Sequence, residues 1–399
     1  MLNMLSVDAT EKNSSKSNSN NILSKSIPSN QNGYLDPKIY PPLDQPPPIN
    51  SSFVQEWAKK TDWNQVPNFR STTPGNCSDI EPDACNWACQ KCERPSDIVV
   101  CPGKETWGMS YDDGPSVYTP KVLDLLQKYS LHSTLFVVGS RVVQHPLTLI
   151  AAYRAGHHIA VHTWSHRSLT SLDNLTIIAE LQWTQKIIYD VLGITPIYMR
   201  PPFGDIDDRV RSIAVQLGYI VSIWTRGFDT QDWQLPEHKV TPQEVIINFS
   251  SFLQNSTKMN SGFIVLQHDL WPETVQISVD VILPTAINTP NMQIMSISEC
   301  LVDGKPYKEG VANSNKINSL LDGNQSDDGI RPNTTMMINS AFSVRSCGLW
   351  IWIADKNHSL AKGELGHFLL YHKSLKIIGP GYKACYQPSS FAYITTIVY

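Results

Sequence analysis

Between about residue 101 and residue 300, short apolar runs alternate with longer runs whose apolar residues recur at helical spacing. The short runs TWGMSYD, STLFVVG, HIAVHT, IYMRPP, IVSIWTRG, FIVLQH and QIMSIS predict strands. The longer runs PKVLDLLQKY, LTLIAAYRAG, LTIIAELQWTQKIIYDVL, DDRVRSIAVQLG and TPQEVIINFSSFLQ predict helices. Gly156, Gly193 and Gly218 stand where helices should stop. Asp173 or Asn174, and Thr241-Pro242, stand where helices should start. Strict strand–helix alternation over this length argues an α/β fold, either a barrel or an open parallel sheet.

The pattern stops on both sides. Residues 1–50 are rich in Ser, Asn, Lys and Pro, have no hydrophobic period and read as a disordered or extended leader. Residues 51–100 hold one amphipathic stretch, SFVQEWAKK, and then CSDIEPDACNWACQKC, which together read as a small stapled cap. Residues 101–305 form the expected catalytic domain, and residues 306–399 a flexible tail whose last part, 340–399, is apolar but patternless.

Polar motifs fall at the ends of five predicted strands. They are Ser110-Tyr111-Asp112-Asp113-Gly114-Pro115, His162-Thr163-Trp164-Ser165-His166, Arg200-Pro201-Pro202-Phe203-Gly204, Asp229-Thr230-Gln231-Asp232-Trp233 and Leu266-Gln267-His268. Barrels gather functional residues from several strand ends, whereas an open sheet uses one crevice. The expectation is therefore a distorted (β/α) barrel of about seven units, one per predicted strand.

The motifs supply an inventory for metal-assisted hydrolysis. His162 and His166 are at i and i+4, a spacing that on a helical turn brings both rings to one side. Asp113 is the natural third ligand, and two histidines with one carboxylate leave positions open for water and substrate. Zinc is the default ion, with a facial-triad iron site as the rival reading of the same ligands. Neighbouring residues at a strand end point in different directions, so one carboxylate can bind metal while Asp112 faces the water that the ion acidifies. His268 emerges at the same mouth and can protonate a leaving group, with Asp232 or Asp229 holding it cationic. Arg200 can orient the base carboxylate, and the backbone N–H of Phe203 is a candidate oxyanion donor. Trp233 and Leu266 are candidates for substrate contact.

Taken as a set, the five motifs resemble those of the polysaccharide deacetylases, carbohydrate esterase family 4. The wording WGMSYDDGPS and the cysteine-rich lead-in are most similar to the fungal chitin deacetylases, over about residues 77 to 305. The resemblance implies a distorted barrel and hydrolysis of N-acetyl groups on chitin, giving chitosan and acetate. It implies Asp112 as general base, Asp113, His162 and His166 as ligands of Zn2+ or a substituting Co2+, and Arg200 as the group that positions Asp112. It implies Asp232 tuning His268 as general acid, and a Cys101–Cys300 bridge. The departures are Ser110-Tyr111 before the acidic pair, and Phe203 where the family usually has Tyr. Other acetylated polymers, peptidoglycan or acetylxylan, and an inactive wall-binding homologue are the alternatives.

Composition narrows the setting. A formal net charge of -4 gives no electrostatic case for nucleic-acid binding and suits a neutral sugar polymer. Cys77, Cys85, Cys89 and Cys92 crowd into one short segment and read as local disulfides, with a zinc knuckle as the rival. Asn-x-Ser/Thr triplets begin at Asn13, Asn50, Asn76, Asn174, Asn248, Asn255, Asn324, Asn333 and Asn357 and favour a secreted glycoprotein or a cell-wall location. The opening MLNMLSVDATEKNSSKS lacks the basic start and apolar run of a signal peptide, and no stretch has transmembrane length. The expectation is a monomer acting on chitin or chito-oligosaccharides.

Overall fold

The computed structural model describes residues 35–310 and, in a separate unit, the backbone of an antiparallel pair, Phe342–Ser346 with Leu349–Ile353. The seven expected strands are present: β1 Thr106–Asp112, β2 Thr134–Val137, β3 His158–Val161, β4 Tyr198–Met199, β5 Ile220–Val221, β6 Phe263–Ile264 and β7 Gln293–Ser296. All pair in parallel, in the order β5-β4-β3-β2-β1-β6, with β7 also on β1. β1 is fully buried, as a strand covered on both faces must be.

Between β5 and β6 the ring is completed by irregular chain rather than a strand. Thr225 N donates to Ile264 O (3.0 Å), Leu266 N donates to Phe228 O (3.0 Å), and Asp229 bridges Leu266. This irregular closure is what distorts the barrel. It also lays the Asp229–Trp233 motif directly against the end of β6.

The helices follow their sequence signals. Helix α1, Ser52–Lys60, is capped by Ser51, whose hydroxyl accepts from Val54 N. A short helix α2, Trp87–Gln90, follows in the cysteine-rich segment. The barrel helices begin with α3 Thr119–Lys128, α4 Gly139–Gln144, α5 Pro146–Arg154, α6 Asn174–Leu192 and α7 Asp208–Gln216. α8 Pro242–Ser256, α9 Pro272–Ile277, α10 Leu283–Ile287 and α11 Ile297–Cys300 complete them. Asp173 caps α6, Gly193 ends it with φ 70°, and Thr241 with Glu244 forms a reciprocal capping box on α8. The sequence pattern did not reveal α2, α4, α9, α10 and α11: α2 and α11 are four residues long and α4 six, and a π-turn at Ser278–Ile282 and Pro284 interrupt α9 and α10.

The cysteines form three disulfides, Cys77–Cys89, Cys85–Cys92 and Cys101–Cys300. Every cysteine of the crowded segment is thereby oxidised, which removes the zinc-knuckle reading. The leader expected over residues 1–50 is packed from residue 35 onward. Tyr40 is buried and stacks on Trp164, and Trp164 Nε1 donates to Pro42 O (3.0 Å). Residues 1–34, Cys347, Cys385 and the tail expected beyond residue 310, apart from the backbone of the two strands above, lie outside the described residues. Among the described residues no helix is long and apolar enough to cross a membrane.

Candidate active site

The five motifs meet at the C-terminal ends of the strands. Asp112 ends β1, His162 follows β3, Arg200 follows β4, and His268 follows β6. Backbone pairing brings the acidic pair to His268: Asp112 N donates to Gln267 O (3.0 Å), and Asp112 bridges His268.

Asp113, His162 and His166 offer ligand atoms that all lie within 4.8 Å of one another. His166 Nε2 is 3.0 Å and His162 Nε2 3.3 Å from Asp113 Oδ1. Those approaches do not meet hydrogen-bond geometry, so Asp113 Oδ1 is a buried acceptor without a hydrogen-bond partner. An anionic oxygen facing two imidazole nitrogens in this way suits a divalent cation. His162 Nδ1 donates to Arg200 O (2.8 Å), because a carbonyl can only accept. That bond fixes the tautomer and leaves the Nε2 lone pair for a metal. Burial acts against the Asp113 carboxylate, but His166 and His162 outweigh it and hold its pKa well below the usual carboxylate range. Burial likewise depresses His166, and Asp113 reverses the effect and raises it.

The expected helical turn at His162–His166 is corrected here. The segment is a loop, with Thr163 at φ 66° and His166 at φ 55°. Asp113 (φ 77°), Phe203 (φ 61°) and Gln231 (φ 62°) share this left-handed conformation. Each is a non-glycine residue in one of the motifs, and each costs on the order of 1 kcal/mol of strain. Surrounding bonds sustain the His162–His166 loop: Trp164 N and Ser165 N both donate to Glu180 Oε2 (2.8 Å each), and Ser165 Oγ donates to Glu180 Oε1. Glu180 is fully buried on α6, and burial raises its pKa. Its signal in the sequence is an acidic residue within an otherwise apolar helical face.

On one side of the Asp113–His162–His166 cluster, Arg200 Nη1 donates to Asp112 Oδ1 (2.7 Å) and to Ser110 Oγ (2.9 Å). Arg200 is fully buried, its guanidinium lies 4.0 Å over the Phe136 ring, and its other nitrogens donate to Ser222 O and Ile223 O. A carboxylate held this way has one oxygen occupied and the other, Asp112 Oδ2, 3.9 Å from His162 Nε2.

On the other side, Asp232 accepts from His268 twice, from Nδ1 at 2.7 Å and from the backbone N at 2.9 Å. Asp232 is therefore the residue paired with His268, while Asp229 accepts from Gln231 N (2.8 Å). Burial alone would depress His268, but Asp232, with Asp113 and Asp112 adding to it, raises its pKa to about 10. A cationic imidazole beside a buried anion is a proton donor held ready near neutral pH.

Phe203 and Trp233 are exposed, and Leu266 is buried. The Phe203 ring stands edge-on to His166, with centroids 4.8 Å apart. Asp269, which sequence reading passed over, is buried directly behind Gly114, against which a β-carbon would lie 2.5 Å from both carboxylate oxygens.

A family model described as "Polysaccharide deacetylase" matches residues 100–222. The chain is 46% identical over 283 residues to "Chitin deacetylase 1" of Cryptococcus neoformans var. grubii, covering 68% of this chain and 60% of that protein. It is 33% identical over 246 residues to "Chitin deacetylase 2" of Saccharomyces cerevisiae, covering 61% of this chain and 72% of that one. The chain thus spans less than two thirds of the Cryptococcus relative. Among solved structures, the chitin deacetylase of Colletotrichum lindemuthianum overlays with a TM-score of 0.48 at 24% identity, covering 55% of this chain and 97% of that one.

Proposed function

We propose a function on one premise: the chain belongs to the polysaccharide deacetylase family. The proposed reaction is metal-dependent hydrolysis of the N-acetyl group of N-acetylglucosamine units in chitin. Water adds to the amide carbonyl, the C–N bond breaks, and acetate and a glucosamine amine leave. The observation that supports this best is the order of groups around one point: a base carboxylate tied to arginine, a metal-type triad, and a cationic histidine tied to aspartate.

Asp113, His162 and His166 would hold the ion, which we take to be zinc. When bound, it supplies Lewis acidity that polarises the amide carbonyl and lowers the pKa of water. Asp112 takes the proton from the attacking water, and Arg200 keeps its free oxygen aimed at that water. Phe203 N–H, in a turn preset by Pro201-Pro202, stabilises the negative charge that develops on the carbonyl oxygen. His268 gives its Nε2 proton to the departing nitrogen, and Asp232 stabilises the imidazolium until then. Trp233 and Leu266 line the substrate's approach. A chitin substrate is supported by the chitin deacetylases that the chain resembles, and an extracellular or cell-wall setting by the three disulfides.

The test is acetate release from a panel of acetylated glycans: chitin oligomers, peptidoglycan and acetylxylan. Preferential release from chitin oligomers is expected. Preferential release from another polymer would move the substrate assignment, and release from none would leave a binding protein.

A further inference from the structure

We infer that Asp269 is a positioning residue, whose buried carboxylate seats the Asp112–Thr119 turn so that Asp113 faces His162 and His166. The inference rests on the metal-dependent deacetylase reading above. It concerns a carboxylate to which that mechanism gives no part.

Asp269 immediately follows His268 and is 2% exposed. Every hydrogen bond it makes runs to the chain around the acidic pair. Its backbone N donates to Asp112 O (3.3 Å), and its backbone O accepts from Ser116 Oγ (2.6 Å). Its Oδ2 accepts from Thr119 Oγ1 (2.5 Å), and Thr119 Oγ1 accepts in turn from Ser116 N (2.8 Å). Ser116 Oγ also accepts from Tyr118 N (3.0 Å). The carboxylate lies flat against Gly114, where any β-carbon would sit 2.5 Å from both of its oxygens. One residue thus grips the turn at both ends and at its middle.

The turn needs such a seat. Asp113 holds a left-handed backbone, at φ 77°, and a non-glycine residue stays there only when its surroundings over-determine it. The side chain of Asp113 leaves the backbone at that point toward the two histidines. A small rotation of the turn would swing Asp113 Oδ1 away from both imidazole nitrogens.

Asp269 is not one of the three groups whose ligand atoms converge. Its hold on the turn is one of shape: one oxygen accepts from Thr119 and the carboxylate fills the space against Gly114. An asparagine keeps the volume and an oxygen that can accept from Thr119, whereas alanine removes both.

The experiment compares full-length wild type, Asp269→Asn, Asp269→Ala and Thr119→Val. Zinc affinity is read by competition with a chromophoric chelator, and kcat and KM by acetate release from chitin oligomers. Asp269→Ala should weaken zinc binding and lower kcat by roughly 10- to 100-fold, the range for residues that orient metal ligands, with KM nearly unchanged. Asp269→Asn should restore both, and Thr119→Val should shift zinc affinity in the same direction as alanine. Wild-type zinc affinity in Asp269→Ala, or asparagine as damaging as alanine, overturns the inference while the functional reading stands. If Asp269→Ala does not fold, Thr119→Val decides, and wild-type zinc affinity there overturns the inference. Wild-type protein that binds no zinc overturns both readings together.

Discussion

Replacing Asp232 with Asn removes one negative charge beside His268 and almost no volume. The pair is buried and close, with Nδ1 2.7 Å from Oδ1. At an effective dielectric near 20, unit charges about 4 Å apart interact by about 4 kcal/mol. At about 1.4 kcal/mol per pH unit, that is about three pH units. His268 now titrates at about 10. The general acid must carry its proton, so activity is lost as pH rises through that value. In the variant the loss should come about three pH units lower, near pH 7. At about pH 8.5 only roughly one histidine in thirty would then be protonated, a near thirtyfold loss of rate. The assay is kcat/KM for acetate release against pH, with zinc occupancy checked at each end. A basic limb at the same pH in both proteins would refute the reasoning, because the acid would then be some other group.

His162→Ala should lose zinc and activity together, while Asp112→Asn should keep zinc by competition assay and lose roughly 10²–10⁴-fold in turnover; an active Asp112→Asn would remove Asp112 as the base. The Cys101–Cys300 bridge closes a separation of 199 residues, so the double Ser variant should lose about 5 kcal/mol in chemical denaturation; an unchanged midpoint would contradict this. Burial lowers His157 to about 4 and His158 to about 3. Between those values and the ordinary histidine pKa of about 6.5, the unfolded chain binds protons that the folded chain does not. Stability should therefore fall as pH drops through that window, by up to about 1.4 kcal/mol per pH unit for each histidine. His157→Asn, whose amide oxygen can accept from Ser133 N as the ring does at 3.1 Å, should flatten the slope; melting curves with equal pH slopes would contradict it.

Much of this was legible in the chain. The strands showed because they are short apolar runs, most of them buried along their length, and the site residues showed because five of the predicted strands end in a chemically distinctive motif. What was not legible is set by partners far away in sequence. Spacing suggested a helical turn for His162 and His166, but left-handed Thr163 and His166 bring them together, and neither is a glycine that would advertise the conformation. The motif offered Asp229 and Asp232 equally, and only the irregular closure against β6 selects Asp232 for His268. Crowded cysteines announced disulfides without fixing which pairs form. Asp269 carries no local signal, since its partners Ser116 and Thr119 lie 150 or more residues earlier.

The most direct test of the central claim is acetate release from chitin oligomers by chelator-stripped protein as zinc is added back. The account predicts no release without metal, and a rate that rises with zinc and saturates at one ion per chain. Release that persists in fully stripped protein, or that zinc fails to restore, would contradict it.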